Sequence, residues 1–256
     1  MHPLYNTNTQ YHQNTRVRMN QAALLSLLLT VIWSGCANYY LPNSHQVPLL
    51  TKKGDARLAL TATDHSSEIV SPYGVEFQGS YAATDKIGVV LNSTVAISFG
   101  GEVYKYLDLG GGYFKANSLE NFIFETYGGV GFGNSSRAFI DGSFYNNTNF
   151  VKYYVQPSLG YRAKNFELAL SWRLASLNFT EMSNSGVLDV ANQNIVQSIQ
   201  NKPSSILSEP AVTVRLGLKA VKLQAQWGWS HSLSGGYYPQ GQSYLNVGFF
   251  ISMGRE

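Results

Sequence analysis

The 256-residue sequence has little charge and a single cysteine. Charged residues make up 13% of the chain, whereas an ordinary soluble domain has about 25%. The formal net charge is only +3 and the basic residues form no run, so nothing in the chain favours nucleic-acid binding. One cysteine excludes a disulfide within the chain. The sequence also lacks a metal-ligand cluster and a glycine-rich phosphate loop, so neither a metal nor a cofactor is expected.

Long hydrophobic runs are missing as well. The longest apolar run, 22–33, is too short for a bilayer-spanning helix, which needs about 20 residues. Two arginines precede it and Ser34-Gly35-Cys36 follows it, which is the order of a secretory signal. The Ser-Gly-Cys triplet resembles the lipobox of bacterial lipoproteins, in which the cysteine is diacylated and becomes the mature N-terminus. The sequence therefore predicts a lipoprotein-type signal peptide at 1–35 and lipidation of Cys36.

The stretch 36–53 contains Pro42 and Pro48, which prevent regular structure. We interpret it as a periplasmic tether that leads to the first strand. Four apolar residues are expected to pack at the periplasmic mouth of a barrel: Tyr39, Tyr40, Leu49 and Leu50. The segment either occludes the lumen or serves only as a leash, and the sequence leaves both alternatives open.

The rest of the chain is dominated by residues that alternate with period two, which is typical of strands. The clearest case is 151–174, which alternates on both sides of a turn at 163–165. One face is apolar throughout, and the other carries charges beside small residues. The apolar set is Val151, Tyr153, Val155, Pro157, Leu159 and Tyr161, then Phe166, Leu168, Leu170, Trp172 and Leu174. This pattern predicts a hairpin with lipid on one side and a polar lumen on the other.

About ten such segments follow one another, most of them long enough for the 9–11 residues of a tilted membrane strand. They lie at 54–63, 73–84, 86–99, 103–116, 120–134, 150–162, 165–180, 209–219, 220–232 and 242–253. Short and long connections mostly alternate between them, as in outer-membrane proteins. The sequence therefore predicts an all-β fold at 54–256, a closed antiparallel up-and-down transmembrane β-barrel. An even strand count returns the C-terminus to the side where a lipid on Cys36 is expected.

The mid-strand charges fall on the inward face, together with most strand glycines. The predicted lumen charges are Arg57, Glu76, Asp108, Glu125, Lys152, Arg162, Glu167, Arg173, Arg215 and Lys222. A barrel of about ten strands cannot enclose the apolar set instead, so that set is expected to contact lipid. The inward charges either line a selective pore or pair as a closed core. We favour the closed core, because unpaired buried charges cost several kcal/mol.

Three short motifs carry a resemblance to a known class of protein. They are Tyr-Ala-Ala-Thr-Asp at 81–85 with Ile-Gly-Val at 87–89, Leu-Gly-Gly-Gly-Tyr-Phe at 109–114 and Gln-Pro-Ser-Leu-Gly-Tyr at 156–161. With them the chain after Cys36 resembles small outer-membrane β-barrels of Gram-negative bacteria, especially those of Bacteroidota made behind a lipoprotein-type signal. The resemblance implies a location in the cell outer membrane, in contact with its lipid and with an N-terminal lipid anchor.

The function expected from the sequence is a structural, surface-interaction or narrow-pore role without catalysis. Loops 134–149 and 181–208 are the expected contacts for a surface ligand or protein, and a helix at 189–200 either orders its loop or contacts a partner. One alternative is a pore for small solutes. Another is a hydrolase at the barrel rim that uses His231 as general base beside a serine. A solvated rim histidine is the simpler interpretation, so no catalytic residue is predicted.

Overall fold

A computed structural model of the protein describes residues 39–65, 72–98, 101–138, 144–186, 190–235 and 238–254. The predicted signal peptide and Cys36 lie outside the described residues. The strands are β1 (Ala56–Asp64), β2 (Tyr73–Ala82), β3 (Ile87–Ile97), β4 (Glu102–Ala116), β5 (Phe122–Ala138), β6 (Phe144–Arg162), β7 (Phe166–Gly186), β8 (Ser204–Gly217), β9 (Val221–Trp229), β10 (His231–Ser232) and β11 (Ser243–Met253). One described helix, α1 (Val190–Asn201), lies between β7 and β8.

The strands form one closed sheet. Each strand from β1 to β8 pairs antiparallel with the next along the chain. β11 then pairs with both β9 and β1, which closes the circle, while the two-residue β10 adds a short pairing to β8. Closure leaves no long unpaired strand edge. The predicted closed antiparallel barrel of ten long strands is confirmed.

The two ends of the barrel differ in their connections. The short connections 83–86, 117–121, 163–165 and 218–220 lie at one end, which we call the turn mouth. Side chains shape these turns: Asn117 Oδ1 accepts hydrogen bonds from the backbone N–H groups of Asn121 and Phe122 at 3.0 and 3.1 Å. The connections 65–72, 187–203 and 230–242 lie at the opposite end, the loop mouth. In outer-membrane barrels the turns are periplasmic and the longer loops extracellular.

β5, β6 and β7 are longer than the sequence predicts, with 17, 19 and 21 residues. The predicted loops 134–149 and 181–208 are therefore wrong in part, because much of each is strand. Side-chain amides support this extension, since Asn134 Nδ2 donates to Asn147 Oδ1 and to Asn149 Oδ1, both at 2.7 Å. Asparagine is a poor strand former, so alternation of apolar residues could not reveal these paired polar ends. The predicted helix at 189–200 is present as α1.

The outer face of the barrel is apolar and exposed. Leu170 and Trp172 on β7 are 58% and 57% exposed, and the same pattern continues around the sheet. Other members are Val75, Phe77, Ile87, Val89, Val95, Leu107, Leu109, Phe124, Phe132, Val155, Leu216, Leu223, Trp227, Val247 and Phe249. A soluble protein does not expose a continuous apolar surface of this extent. This face is suited to lipid, and the buried polar face encloses the lumen.

Among the described residues, no helix is both long enough and apolar enough to cross a membrane.

Arginine in place of Leu170 should weaken folding into lipid by about 2–4 kcal/mol, the cost of this residue near the middle of a bilayer. The matched control is Leu119→Arg, because Leu119 lies in a turn-mouth connection and is 79% exposed. We expect the control to change the free energy of folding by less than about 0.5 kcal/mol, as at an ordinary surface position. Urea titration in lipid vesicles measures both values. Equal, small effects would contradict lipid contact at Leu170.

The plugged lumen as candidate functional site

The lumen of the barrel is filled by the N-terminal part of its own chain. Residues 39–50, which we call the plug, run from one mouth to the other, and every one of them is buried. At the loop mouth, the backbone N–H of Tyr39 donates to the Pro239 carbonyl at 3.0 Å. At the turn mouth, Leu50 packs with Ala82 and Phe114. The chain then turns into β1. The segment that the sequence predicts as a periplasmic tether therefore lies inside the barrel over these residues.

The plug has no helix or strand of its own, and the wall of the lumen satisfies its backbone. Eight consecutive carbonyls, those of residues 40–47, each accept a hydrogen bond of 2.6–3.3 Å from the barrel or its loops. In chain order the donors are Gly241 N, Tyr104 Oη, His65 Nε2, Arg173 Nη1, Arg173 Nη2, Gln226 Nε2, Gln156 Nε2 and Arg215 Nη2. Buried backbone groups must be paired. Polar side chains of the wall therefore satisfy the backbone carbonyls of the plug, as a neighbouring strand does in a sheet.

The middle of the plug is polar and contacts the buried charges of the lumen. Asn43 accepts a hydrogen bond from Lys152 Nζ at 2.6 Å and donates one to Asp108 Oδ2 at 3.1 Å. The backbone N–H of Ser44 donates to Glu76 Oε2 at 3.1 Å. One asparagine thus lies between an ammonium and a carboxylate, and the next residue covers a second carboxylate.

Other lumen charges are paired with each other. Glu167 accepts from Arg215 at 2.9 Å and lies 3.1 Å from Lys222 Nζ, so one carboxylate serves two cations. Arg173 Nη1 lies 3.6 Å from Glu209 Oε2, and both side chains are fully buried. Buried charges are tolerated only when partners and hydrogen bonds replace water. Barrel and plug together provide these partners, so the lumen is closed around its charges.

The structure places nine of the ten predicted lumen charges in buried positions. The tenth, Arg162, is half-buried at the turn mouth, where it donates to the Leu49 carbonyl at 3.3 Å. Glu209 was not predicted as a lumen charge, although it alternates in phase with Arg215 on β8 and faces inward for that reason. Of the two alternatives left open for residues 36–53, the structure favours occlusion of the lumen over residues 39–50. The apolar, polar, apolar order along these residues matches the order of the lumen.

Aromatic residues hold the plug at the loop mouth. Tyr40 meets Phe150 edge to face, with ring centroids 5.6 Å apart. Its hydroxyl donates to Glu209 Oε1 at 2.9 Å. The buried cluster around the loop-mouth end of the plug also contains Tyr104, Tyr106, Tyr154, Leu177, Phe179, Ile199, Leu207 and Tyr238. An amphipathic tyrosine suits this boundary, because its ring packs with the cluster while its hydroxyl reaches a buried carboxylate.

Strand glycines make room for the plug at the turn mouth. A Cβ atom built at Gly160 would collide with the Leu49 side chain, and one at Gly88 would lie 2.8 Å from Leu50 Cδ1. The sequence pattern placed most strand glycines on the inward face together with the charges. At these two positions the space is taken by leucines of the plug, which pack with neighbours such as Ile123 and Phe114.

The structure places His231 at the rim of the barrel and His45 and His65 in the lumen. His231 is exposed in β10, opposite Ser208. His65 is buried beside the plug and donates to the Pro42 carbonyl, and burial lowers the pKa of its ring. A histidine and a serine do meet in the lumen, where His45 Nδ1 lies 2.7 Å from Ser171 Oγ. His45 belongs to the plug and Ser171 to β7, and both are buried, so movement of the plug would separate this pair.

Open space lies at the turn mouth, next to the Leu50 end of the plug. A cavity of about 660 Å³ at the turn mouth is lined by both plug-proximal and barrel residues. Its charged lining residues are Lys52, Arg57, Arg162, Lys164, Lys219, Lys222, Asp55, Glu120 and Glu167. By contrast, a void beside the plug that is lined by Gln46, Val47 and Arg215 measures about 10 Å³, roughly the minimum for one water molecule. Within the described residues, no three histidine, cysteine, aspartate or glutamate side chains are grouped as metal ligands.

No protein-family model matches the sequence, and no curated protein matches it. Solved structures do match in fold. The outer membrane protease OmpT from Escherichia coli has a TM-score of 0.46 and 11% identity, over 77% of this chain and 94% of that chain. The translocator domain of the autotransporter NalP from Neisseria meningitidis has a TM-score of 0.45 and 9% identity, over 92% and 97%. LpxR from Salmonella typhimurium has a TM-score of 0.36 and 10% identity, over 76% and 99%.

The prediction from the sequence that the chain is not an enzyme does not stand, because solved structures of this fold include an outer membrane protease and the fold by itself does not exclude catalysis. An enzymatic role is compatible with this kind of barrel. The matches are outer-membrane proteins or domains of them, in agreement with the apolar outer face described above. Origin in Bacteroidota and lipidation of Cys36 stay predictions from the sequence.

Proposed function

We propose that the chain is an outer-membrane β-barrel sealed by its own plug, and that it acts at the cell surface through the polar structures around its loop mouth. The apolar outer face and the alternation of short turns with longer loops support the membrane placement. The observation that carries the proposal is the set of eight consecutive plug carbonyls bonded to the barrel or its loops.

The plug is held too firmly to act as a loosely fitting leash. Hydrogen bonds to eight consecutive carbonyls, together with the burial of every residue from 39 to 50, offset the conformational entropy that the plug loses on being ordered. Arg173, Gln156 and Arg215 would also lose hydrogen bonds if the plug left. A sealed lumen is therefore the expected resting state, and the barrel serves as a scaffold rather than as an open pore.

The loop mouth carries the surface role in this proposal. β5, β6 and β7 extend beyond the rest of the barrel as a polar sheet rich in asparagine, serine and threonine. α1 packs its buried Val196 and Ile199 inward, and it has neither acidic residues in its first turn nor basic residues in its last. These elements occupy the two stretches that the sequence singled out for a surface ligand or protein partner. Their paired side chains give them a fixed shape, which favours recognition.

Planar-bilayer recording of the full chain tests the seal. We expect the folded barrel to stay electrically silent, because residues 39–50 cross the lumen and each of them is buried there. A heat-modifiability gel on the same sample verifies folding, since a folded membrane barrel migrates differently before and after boiling. Stepwise conductance from folded, full-length protein would contradict the proposal and favour a small-solute pore.

A further inference from the structure

The direction in which the chain passes through the lumen fixes where its N-terminal end emerges. β1 begins at the turn mouth, where Ala56 is paired with Met253 of the last strand. Going backwards from β1, the chain rises through the lumen and reaches Tyr39 at the loop mouth. Tyr39, the first described residue, therefore lies at the mouth opposite to the end of β11.

We propose that the mature N-terminal end of this protein is displayed on the outer surface of the outer membrane, after passing through the lumen of its own barrel. The inference rests on the proposed membrane placement and goes beyond it. It reverses the sequence-based expectation, in which residues 36–53 form a periplasmic tether and a lipid on Cys36 shares a side with the C-terminus. Strand counting alone could not show this, because it does not reveal which way the chain runs before the first strand.

The length of the plug agrees with a complete crossing. An extended chain advances about 3.3 Å per residue, so twelve residues reach roughly 40 Å, which exceeds the roughly 30 Å apolar thickness of a bilayer. Contacts confirm that the ends of the plug lie at different mouths. Tyr39 and Tyr40 bond to the connection before β11, whereas Leu49 accepts from Arg162 at the end of β6.

The lumen is also built to hold an extended chain. Its wall recognises backbone carbonyls of consecutive residues through side chains from β4, β6, β7, β8 and β9. A chain that turned back at Tyr39 to leave through the turn mouth would need a second passage through this lumen. The plug already occupies that passage, since every residue from 39 to 50 is buried against the wall of the lumen.

A lipid at the predicted site would then have a defined location. Cys36 precedes Tyr39 by three residues, and three residues span at most about 11 Å. A lipid on that cysteine would therefore be attached within this distance of Tyr39. The anchor and the barrel would then both lie in the outer membrane, and the loop mouth would stay exposed.

Epitope insertion in the full-length protein tests the proposal. One variant carries a short epitope between Asn38 and Tyr39, and its matched partner carries the same epitope between Lys52 and Lys53, at the other end of the plug. Two placement controls carry it at Gly235 in the loop connection before β11 and at Lys164 in the β6–β7 turn. Antibody is added to intact cells and, separately, to permeabilised cells.

We expect the epitopes at residues 38 and 235 to be labelled on intact cells, and those at 52 and 164 only after permeabilisation. Labelling at 235 but not at 38, with the residue-38 epitope detected after permeabilisation, overturns the proposed display while leaving the membrane placement intact. Labelling at 164 but not at 235 instead overturns the placement itself. Heat-modifiability gels on each variant restrict the comparison to folded barrels.

Discussion

Deletion of residues 39–50 converts the silent barrel into a conducting one. Without the plug, Arg173 loses its contacts with Asn43 and Ser44, and Glu125 loses the backbone N–H of Leu50. Charges left in a lumen regain their solvation by admitting water. The aromatic cluster at the loop mouth loses its central Tyr40 at the same time. A water-filled path between the two mouths is the expected result, and planar-bilayer recording shows it as stepwise conductance.

A second variant tests the same expectation in a protein that has already folded with its plug in place. A specific protease site placed between Lys52 and Lys53, both exposed, allows cleavage after the intact protein has folded. Cleavage alone should not open the barrel, because the contacts of the plug with the wall remain. Addition of mild denaturant should then release the cut plug and raise the conductance. The uncut protein under the same denaturant is the control. Persistent silence of both the deleted and the cut, released barrel would show that the wall closes without the plug.

The barrel could be predicted from the local pattern of the sequence, because the alternation within each strand distinguishes its apolar face from its polar face. Phe166, Leu170 and Trp172 differ from Glu167 and Arg173 in polarity, and that alternation is enough to assign outside and inside. No partner strand has to be known. The strand count, the closed architecture and the outward apolar face could all be predicted on this basis.

The plug could not be predicted in the same way, because its contacts are distant in sequence and mostly use its backbone. His45 bonds to Gln226, and Asn43 bonds to Arg173. The side chains of residues 39–50 do not indicate that their carbonyls accept hydrogen bonds from arginines and glutamines more than a hundred positions later in the chain. The extended ends of β5 to β7 were missed for a different reason, since amide ladders replace the apolar alternation there.

Replacement of Arg173 by methionine should be the most destabilising single change among the lumen charges. Arg173 donates to Gln156 at 2.9 Å and to Asn43 and Ser44 of the plug, and it is paired with Glu209. Methionine keeps the apolar stem and removes the guanidinium with its charge and donors, so an uncompensated buried carboxylate is left at Glu209. We expect a loss of about 3–5 kcal/mol in the free energy of unfolding, measured by urea titration in lipid vesicles.

Two comparisons separate loss of charge pairing from loss of packing. In the double variant Arg173→Met with Glu209→Gln, the unpaired carboxylate is gone, so the double variant should be more stable than Arg173→Met alone. Arg162→Met is the matched surface control: its side chain is half-buried and lies 4.0 Å from Glu120, so a loss below about 1 kcal/mol is expected. A double variant no more stable than the single one would mean that the arginine acts through its contacts with the plug and not through Glu209. In that case the seal, and not the ion pair, would set the stability of the closed lumen.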